Sequence, residues 1–276
     1  MKTIYLSFAL LAVLSRPGFA QRRFSVEDSE TVRRTLEFAP GAKKLLDVQN
    51  VNGFIHVTGY DGASVEMVAN KTIRGRGQDR IEAAKREVVL QTADRSDTVR
   101  IVVDHPGKCR NGNNPNGCFN YNSDEDQYSV RFDFEIRVPR SAAVHLRSIN
   151  SGEIRVQSVQ GDFDVEHING AIQLEDMSGS GRAHTINGPV QVSFGASPKS
   201  DCSFHSLNGA IEVSFPGNLS AELRFKTLNG GVYTDFPPAV IPAATSSSPQ
   251  RVRVGNGGPE MEFESLNGSI KILQAK

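Results

Sequence analysis

Apolar and polar residues alternate in short runs along much of the chain, and the runs are cut at a recurring corner. Seven segments carry it: Val51-Asn52-Gly53, Ile149-Asn150-Ser151-Gly152, Ile168-Asn169-Gly170, Ile186-Asn187-Gly188, Leu207-Asn208-Gly209, Leu228-Asn229-Gly230 and Leu266-Asn267-Gly268. Six and four residues before the Asn stand Leu46/Val48, Val144/Leu146, Phe163/Val165, Gly181/Ala183, Cys202/Phe204, Leu223/Phe225 and Met261/Phe263. Three and five residues after it stand Ile55/Val57, Ile172/Leu174, Val190/Val192, Ile211/Val213, Val232/Thr234 and Ile270/Ile272, with Ile154/Val156 fitting if Ser151 takes the Asn place. A period of two puts each pair on one strand face. The residues between the later pairs, His56, Arg155, Gln173, Gln191, Glu212, Tyr233 and Lys271, then face outward. Asn-Gly tolerates positive φ and so can turn the backbone sharply. Each unit reads as strand, corner, strand.

From Ser151 the corners fall at 169, 187, 208, 229 and 267, in steps of 18, 18, 21, 21 and 38. Gln160-Gly161 and Ser178-Gly179 each follow a corner by nine residues. Units of this length, stacked at the spacing of neighbouring strands, about 4.8 Å, predict a mainly β fold: a single-stranded parallel β-solenoid (β-helix), right-handed. An antiparallel sandwich built from hairpins would also alternate, but it does not require two corner types at a fixed interval. The 38-residue step reads as two rungs, or as one rung with an insertion. Pro237-Pro238 and the Pro242–Pro249 run, with Thr245 to Ser248 inside it, read as a protruding Pro/Ser loop at 237–249.

Residues 144–276 form the regular repeats, and 21–143 form an atypical first half and cap. In that cap a short helix is predicted near 78–88, on the spacing of Ile81, Ala84, Lys85 and Val88. Strands are predicted over 31–38, 88–90, 99–103 and 130–138. A separate small α+β domain is the alternative for this region. Residues 1–20 read as a secretory signal: Lys2, an apolar stretch from Ile4 to Leu14, and Gly18-Phe19-Ala20 before Gln21. An uncleaved anchor is the competing reading. No later segment is apolar and long enough to span a bilayer.

Without residues 1–20 the chain keeps 29 basic and 31 acidic side chains, a formal charge of −2. Nothing in that balance argues for nucleic acid, which selects concentrated positive charge. Cys109 and Cys118 sit in a turn-rich loop and suggest a local disulfide in an exported chain, with two unpaired thiols as the alternative. Cys202 falls in an inward column and reads as a buried small hydrophobe. His184 and His205 both stand three residues before their Asn, in a column with Glu166, Lys226 and Glu264. A metal site usually needs three or four ligands, so this column predicts no metal centre. The Asn122–Asp126 run offers oxygen ligands without the spacing and Gly of a calcium loop, and whether the Cys109–Asp126 loop takes calcium stays open. No Gly-x-Ser-x-Gly elbow occurs. Asp162, Asp164, Glu166, Glu175 and Asp176 are close in sequence, but alternation exposes most of them singly. No catalytic or cofactor-binding residue emerges.

The repeated [Ile/Leu]-Asn-Gly-x-[Ile/Val]-x-[Val/Ile/Leu] units resemble the adhesin-type domains of unknown function labelled DUF4097. So do Val57-Thr58-Gly59-Tyr60-Asp61-Gly62 and Phe134-Glu135-Ile136-Arg137-Val138-Pro139. The resemblance covers most of residues 40–276 and is structural. It implies a β-solenoid at the bacterial envelope and supplies no catalytic residues. The Cys109–Cys118 loop and the 237–249 loop depart from the family pattern.

The reading is an exported, non-catalytic envelope protein, periplasmic or at the cell surface of a bacterium. It is adhesin-like, with an outward surface that binds a protein or polysaccharide component and takes no cofactor. An envelope-stress or assembly component is the second reading, and a carbohydrate-active enzyme the third.

Overall fold

A computed structural model describes residues 24–41, 43–105, 128–237 and 250–275. The signal segment 1–20, Cys109 and Cys118, the Asn122–Asp126 run and residues 238–249 of the Pro/Ser loop lie outside the described residues.

Alternation becomes two ten-stranded sheets. The first runs β1 (Val26–Leu36), β4 (Val65–Gly75), β7 (Tyr128–Pro139), β3 (Ile55–Tyr60), β9 (Ile154–Gln157), β11 (Ile172–Met177), β13 (Val190–Phe194), β15 (Ile211–Phe215), β20 (Ile270–Gln274), β17 (Val232–Thr234). The second runs β18 (Gln250–Val254), β16 (Ala221–Asn229), β19 (Glu260–Asn267), β14 (Cys202–Asn208), β12 (Gly181–Asn187), β10 (Phe163–Asn169), β8 (Ala143–Asn150), β2 (Leu45–Gln49), β6 (Thr98–Asp104), β5 (Val89–Ala93). Helix α1 (Gln78–Glu87) buries Ile81 and Ala84. The inward apolar pairs fill the space between the sheets. Phe194 of the first sheet meets Phe163 and Phe204 of the second at ring-centroid distances of 6.3 and 6.2 Å.

The expected single-stranded parallel solenoid is not the fold. Both sheets are mixed: β1, β4 and β7 pair antiparallel, as do β5 with β6 and β16 with β18. Long and short strands alike take part, β5 and β18 with five residues each. β4 and β7 hold 11 and 12 residues, alternating inward and outward as far as Val138, and pair in continuous register from Glu66↔Arg137 to Gly75↔Tyr128. Alternation reads the same in either direction, so it fixes a face and leaves strand direction open. Between these ends the strands of one sheet do run parallel, as in Phe163↔Gly181 and Ile172↔Val190.

Within the 38-residue step β18 is added between β17 and β19, and the next unit does not continue outward. β19 and β20 insert between β14/β15 and β16/β17, pairing with both. Spatial order along the corners is therefore Asn150, Asn169, Asn187, Asn208, Asn267, Asn229. The corner glycines also differ from expectation. Only Gly53 and Gly152 take positive φ there. At Gly170, Gly188, Gly209, Gly268 and Gly230 an added Cβ would land on the carbonyl oxygen of the neighbouring corner's glycine. These positions need glycine because backbones stack there, not because the chain turns left-handed.

Strands 31–38, 88–90, 99–103 and 130–138 and the helix at 78–88 have counterparts in β1, β5, β6, β7 and α1. Sequence reading missed β4 and β18. No helix among the described residues is long and apolar enough to cross a membrane.

Candidate functional site

On the outer face of the first sheet the intervening residues align across strands. His56, Arg155, Gln173, Gln191, Glu212, Lys271 and Tyr233 form one row in register. Arg155 Nε donates to Gln173 Oε1 at 3.0 Å, and Lys271 Nζ reaches Glu212 at 3.4 Å. A second row holds Gln157, Glu175, Ser193 and Ser214, and Gln157 donates to Glu175 at 2.6 Å. Between Leu174 and Met177 the β11–β13 register slips, with Asp176 at φ 53°. Where the rows cross β11, β13 and β15 they line a shallow groove of about 370 Å³. Gln173, Gln191, Glu175, Glu212, Ser193 and Ser214 give it amides, carboxylates and hydroxyls repeated at strand spacing.

The outer face of the second sheet is charged and largely self-paired. Asp47 is 3% exposed between Arg100 (2.9 Å) and His145 (3.2 Å). Burial pushes its carboxyl up, but the His145 hydrogen bond and the His145 and Arg100 charges outweigh that and hold it below the usual range. Arg182 meets Asp164 at 2.7 Å, and Arg147 meets Glu166 at 3.1 Å. At the centre His184 and His205 stand edge to face, 6.0 Å apart. His205, Glu262 and Glu264 bring one ligand atom each to within 4.8 Å of one another. Burial pushes the His205 imidazole below its ordinary value, against the pull of Glu262 and Glu264.

The corners form a third surface. Six amides hydrogen-bond in one line: Asn169 donates to Asn150, Asn187 to Asn169, Asn208 to Asn187, Asn267 to Asn208 and Asn229 to Asn267, at 2.7 to 2.9 Å. Asn52 stands outside this line and donates to the Val130 carbonyl. At four corners the apolar residue before the Asn is exposed, Ile186, Leu207, Leu266 and Leu228, whereas Val51 is buried.

Two residues before the Asn lies a buried column that sequence reading missed: Ser148, His167, Thr185, Ser206, Ser265 and Thr227. Thr185, Ser206, Ser265 and Thr227 donate to the glycine carbonyls of the neighbouring corners at 2.9 to 3.1 Å. The signal was present, since these positions share parity with the inward apolar pairs. Ser148 and His167 are the exceptions: neither the Ser148 hydroxyl nor either His167 ring nitrogen is well hydrogen-bonded. Burial pushes the His167 imidazole down to about 4, the Gly152 carbonyl opposing only in part. Cys202 is buried, and burial pushes its thiol up to about 11, which leaves it an unreactive core side chain.

No protein-family model matches the chain, and no curated protein does. Among solved structures, similar chains include a "putative cell adhesion protein" from Clostridium sporogenes ATCC 15579. It is 13% identical, with a TM-score of 0.48 over 90% of this chain and 100% of that one. Another is a "putative adhesin" from Parabacteroides distasonis ATCC 8503, 10% identical, with a TM-score of 0.22 over 90% of this chain and 98% of that one. Likenesses this distant carry no argument about what this chain does. The resemblance to the DUF4097-type domains rests on the sequence motifs: the corners, residues 57–62 and residues 134–139.

Proposed function

We propose that the chain is an exported, non-catalytic binding protein of the cell envelope, adhesin-like in role, and that it holds an extended polar polymer along the outer face of the first sheet. The observation that carries this is the groove of about 370 Å³, lined by amides, carboxylates and hydroxyls, with Gln173, Gln191 and Glu212 in register along it. Such groups at a repeat of about 4.8 Å can each exchange a hydrogen bond with water for one with a hydroxyl-rich chain. Loss of any single contact is then modest, and the length of the ladder provides the affinity. A polysaccharide fits this chemistry best. The test is affinity electrophoresis of the chain against envelope polysaccharides and peptidoglycan. Retardation should weaken in Gln191→Ala with Gln173→Ala, while the denaturation midpoint stays put. Equal retardation of wild type and double variant with every polymer would sink the proposal.

One observation favours a carbohydrate-active enzyme as the second reading: Glu175 and Glu212 line the same groove. They stand two strands apart and in different rows, and each already engages a neighbour, Gln157 and Lys271. A retaining pair sits at about 5 Å and an inverting pair at about 6.5 to 9.5 Å. Turnover of a retarding polymer that vanishes in Glu175→Gln or Glu212→Gln, with binding kept, would establish the enzyme.

A further inference from the structure

We propose that the outer face of the second sheet carries a divalent transition-metal site of the zinc type, built from His205, Glu262 and Glu264 with His184 completing it. It lies on the opposite face of the molecule from the groove and does not depend on the polymer-binding proposal.

Three adjacent parallel strands supply the ligands. Glu262 and Glu264 are separated by one residue on β19, so both point outward. His205 on β14 stands directly across from Glu264, and His184 on β12 directly across from His205. One nitrogen and two oxygens already lie within 4.8 Å of one another. Small rotations would bring them to the roughly 2.0 to 2.2 Å bonds that zinc makes with imidazole and carboxylate.

The protein leaves these atoms spare. His205 Nε2 is shielded from solvent and makes no hydrogen bond; its nearest acidic atom is Glu262 Oε2 at 3.8 Å. Arg224 engages Glu262 through Oε1 at 2.8 Å, and Lys226 engages Glu264 through Oε1 at 2.7 Å. Each pairing leaves the carboxylate a second oxygen. An imidazole–carboxylate donor set selects zinc, copper or nickel over calcium or magnesium, whose sites are built from oxygen. Metal ligation requires a neutral imidazole. Arg224 and Lys226 oppose the incoming charge, so they lower affinity without removing a ligand.

The test is isothermal titration of the full chain with zinc, and separately with calcium, at neutral pH. One zinc should bind per chain, and calcium should not compete. His205→Ala and Glu264→Gln should each weaken zinc by about tenfold or more, since even supporting residues around a metal cost that much. Lys226→Ala should tighten it, because it frees Glu264. Circular dichroism and thermal midpoints check that each variant is folded. Absence of stoichiometric zinc in the wild type would overturn the site. So would zinc binding unchanged in folded His205→Ala, which would place the metal elsewhere. Weakening in Lys226→Ala would also count against it, because it would make the ion pairs supports of the site.

Discussion

Residues 143–275 and residues 24–139 contribute strands to the same two sheets, yet they hold themselves together by different chemistry. In the later region the strands have three to nine residues, and its corners lie in columns. Thr185, Ser206, Ser265 and Thr227 donate to the glycine carbonyls of neighbouring corners, the corner glycines stack on one another, and the corner amides from Asn150 to Asn229 bond in one line. In the earlier region β1, β4 and β7 are long antiparallel strands that alternate inward and outward residues, with ion pairs Arg74–Glu27 and Arg137–Glu66 across them. Its buried polar groups are individual solutions. Lys71 donates to the Val88 carbonyl just past α1 at 2.9 Å, and Asn50 donates to the Gly53 and Phe132 carbonyls. A column has no spare conformations, because moving one member displaces the next. An isolated contact can relax. Substitutions should therefore cost more in the columns than at comparable sites in the earlier region.

The largest effect belongs to the core that both regions share. Phe204 is fully buried and stacks on Phe263 at 5.4 Å. Phe204→Ala should cost about 3 to 5 kcal/mol, through lost burial plus the cavity. Glu212→Ala, on the groove face, should stay within about 0.5 kcal/mol. Urea denaturation of the two variants compares them directly. Equal midpoints would mean that the inward and outward rows are misassigned.

Glycine makes the regional contrast sharper. A Cβ at Gly209 would meet the Gly188 carbonyl, a backbone atom locked in its own corner. At Gly75 it would meet only the Arg80 and Ile81 side chains and the Gly77 carbonyl at 3.2 to 3.3 Å. Gly209→Ala should cost about 3 kcal/mol, the upper part of the range for overpacking, and Gly75→Ala under about 1 kcal/mol. Similar thermal shifts for the two would show that the corner stack yields as easily as a side chain does.

How much of this was legible divides along the same line. Alternation fixed the faces of Phe163, Phe204, Ile211, Leu223 and Phe225 correctly, because burial follows parity whatever the strand direction. Strand direction and order did not show. Nothing in the steps 18, 18, 21, 21 and 38 says that β19 returns to lie beside β14. That return is what sets Glu264 directly beside His205 and brings Glu262 near them, so the column of His184, His205 and Glu264 was legible while their adjacency and the part of Glu262 were not. β4 escaped notice because Lys71 stands in its inward file between Ala69 and Ile73 and disguises the apolar pattern. The hydroxyl column escaped for the same reason, since polar residues at inward parity do not read as core.

A pH titration tests the weak member of that column. His167 is neutral in the folded chain, with its pKa near 4, whereas in the unfolded chain it takes a proton near its ordinary 6.5. The unfolded state therefore binds more protons as pH falls. Stability is fully present above about 6.5 and is lost progressively toward about pH 4, by about 3 kcal/mol in all for a shift of this size. His205, also shifted down, adds in the same direction. His167→Thr would place at this corner the hydroxyl that Thr185 has at the next. It should flatten the slope between pH 4 and 6.5 as read by chemical denaturation at each pH. An unchanged slope would assign the acid sensitivity to other groups.

The smallest effects decide whether columns differ in kind from isolated contacts. Thr185 is fully buried, and Thr185→Val keeps its shape while removing the hydrogen bond to the Gly170 carbonyl. That carbonyl lies in the glycine stack and cannot turn toward water without moving Gly188, so the substitution should cost about 1 to 2 kcal/mol, the penalty of an unsatisfied buried acceptor. Lys71 is 8% exposed, and burial lowers its pKa despite the nearby Glu30 and Asp28. Lys71→Met also deletes a hydrogen bond, to the Val88 carbonyl, but it removes a charge that burial penalises and leaves an apolar chain against Phe132. The two terms oppose each other, as they do when buried ions are replaced by apolar side chains, and the net change should stay under about 1 kcal/mol. Guanidinium denaturation at pH 7 measures both variants on one scale. If Lys71→Met proves the costlier of the two, the earlier region depends on its single inward charge more than the later region depends on a member of its column, and the contrast drawn between them fails.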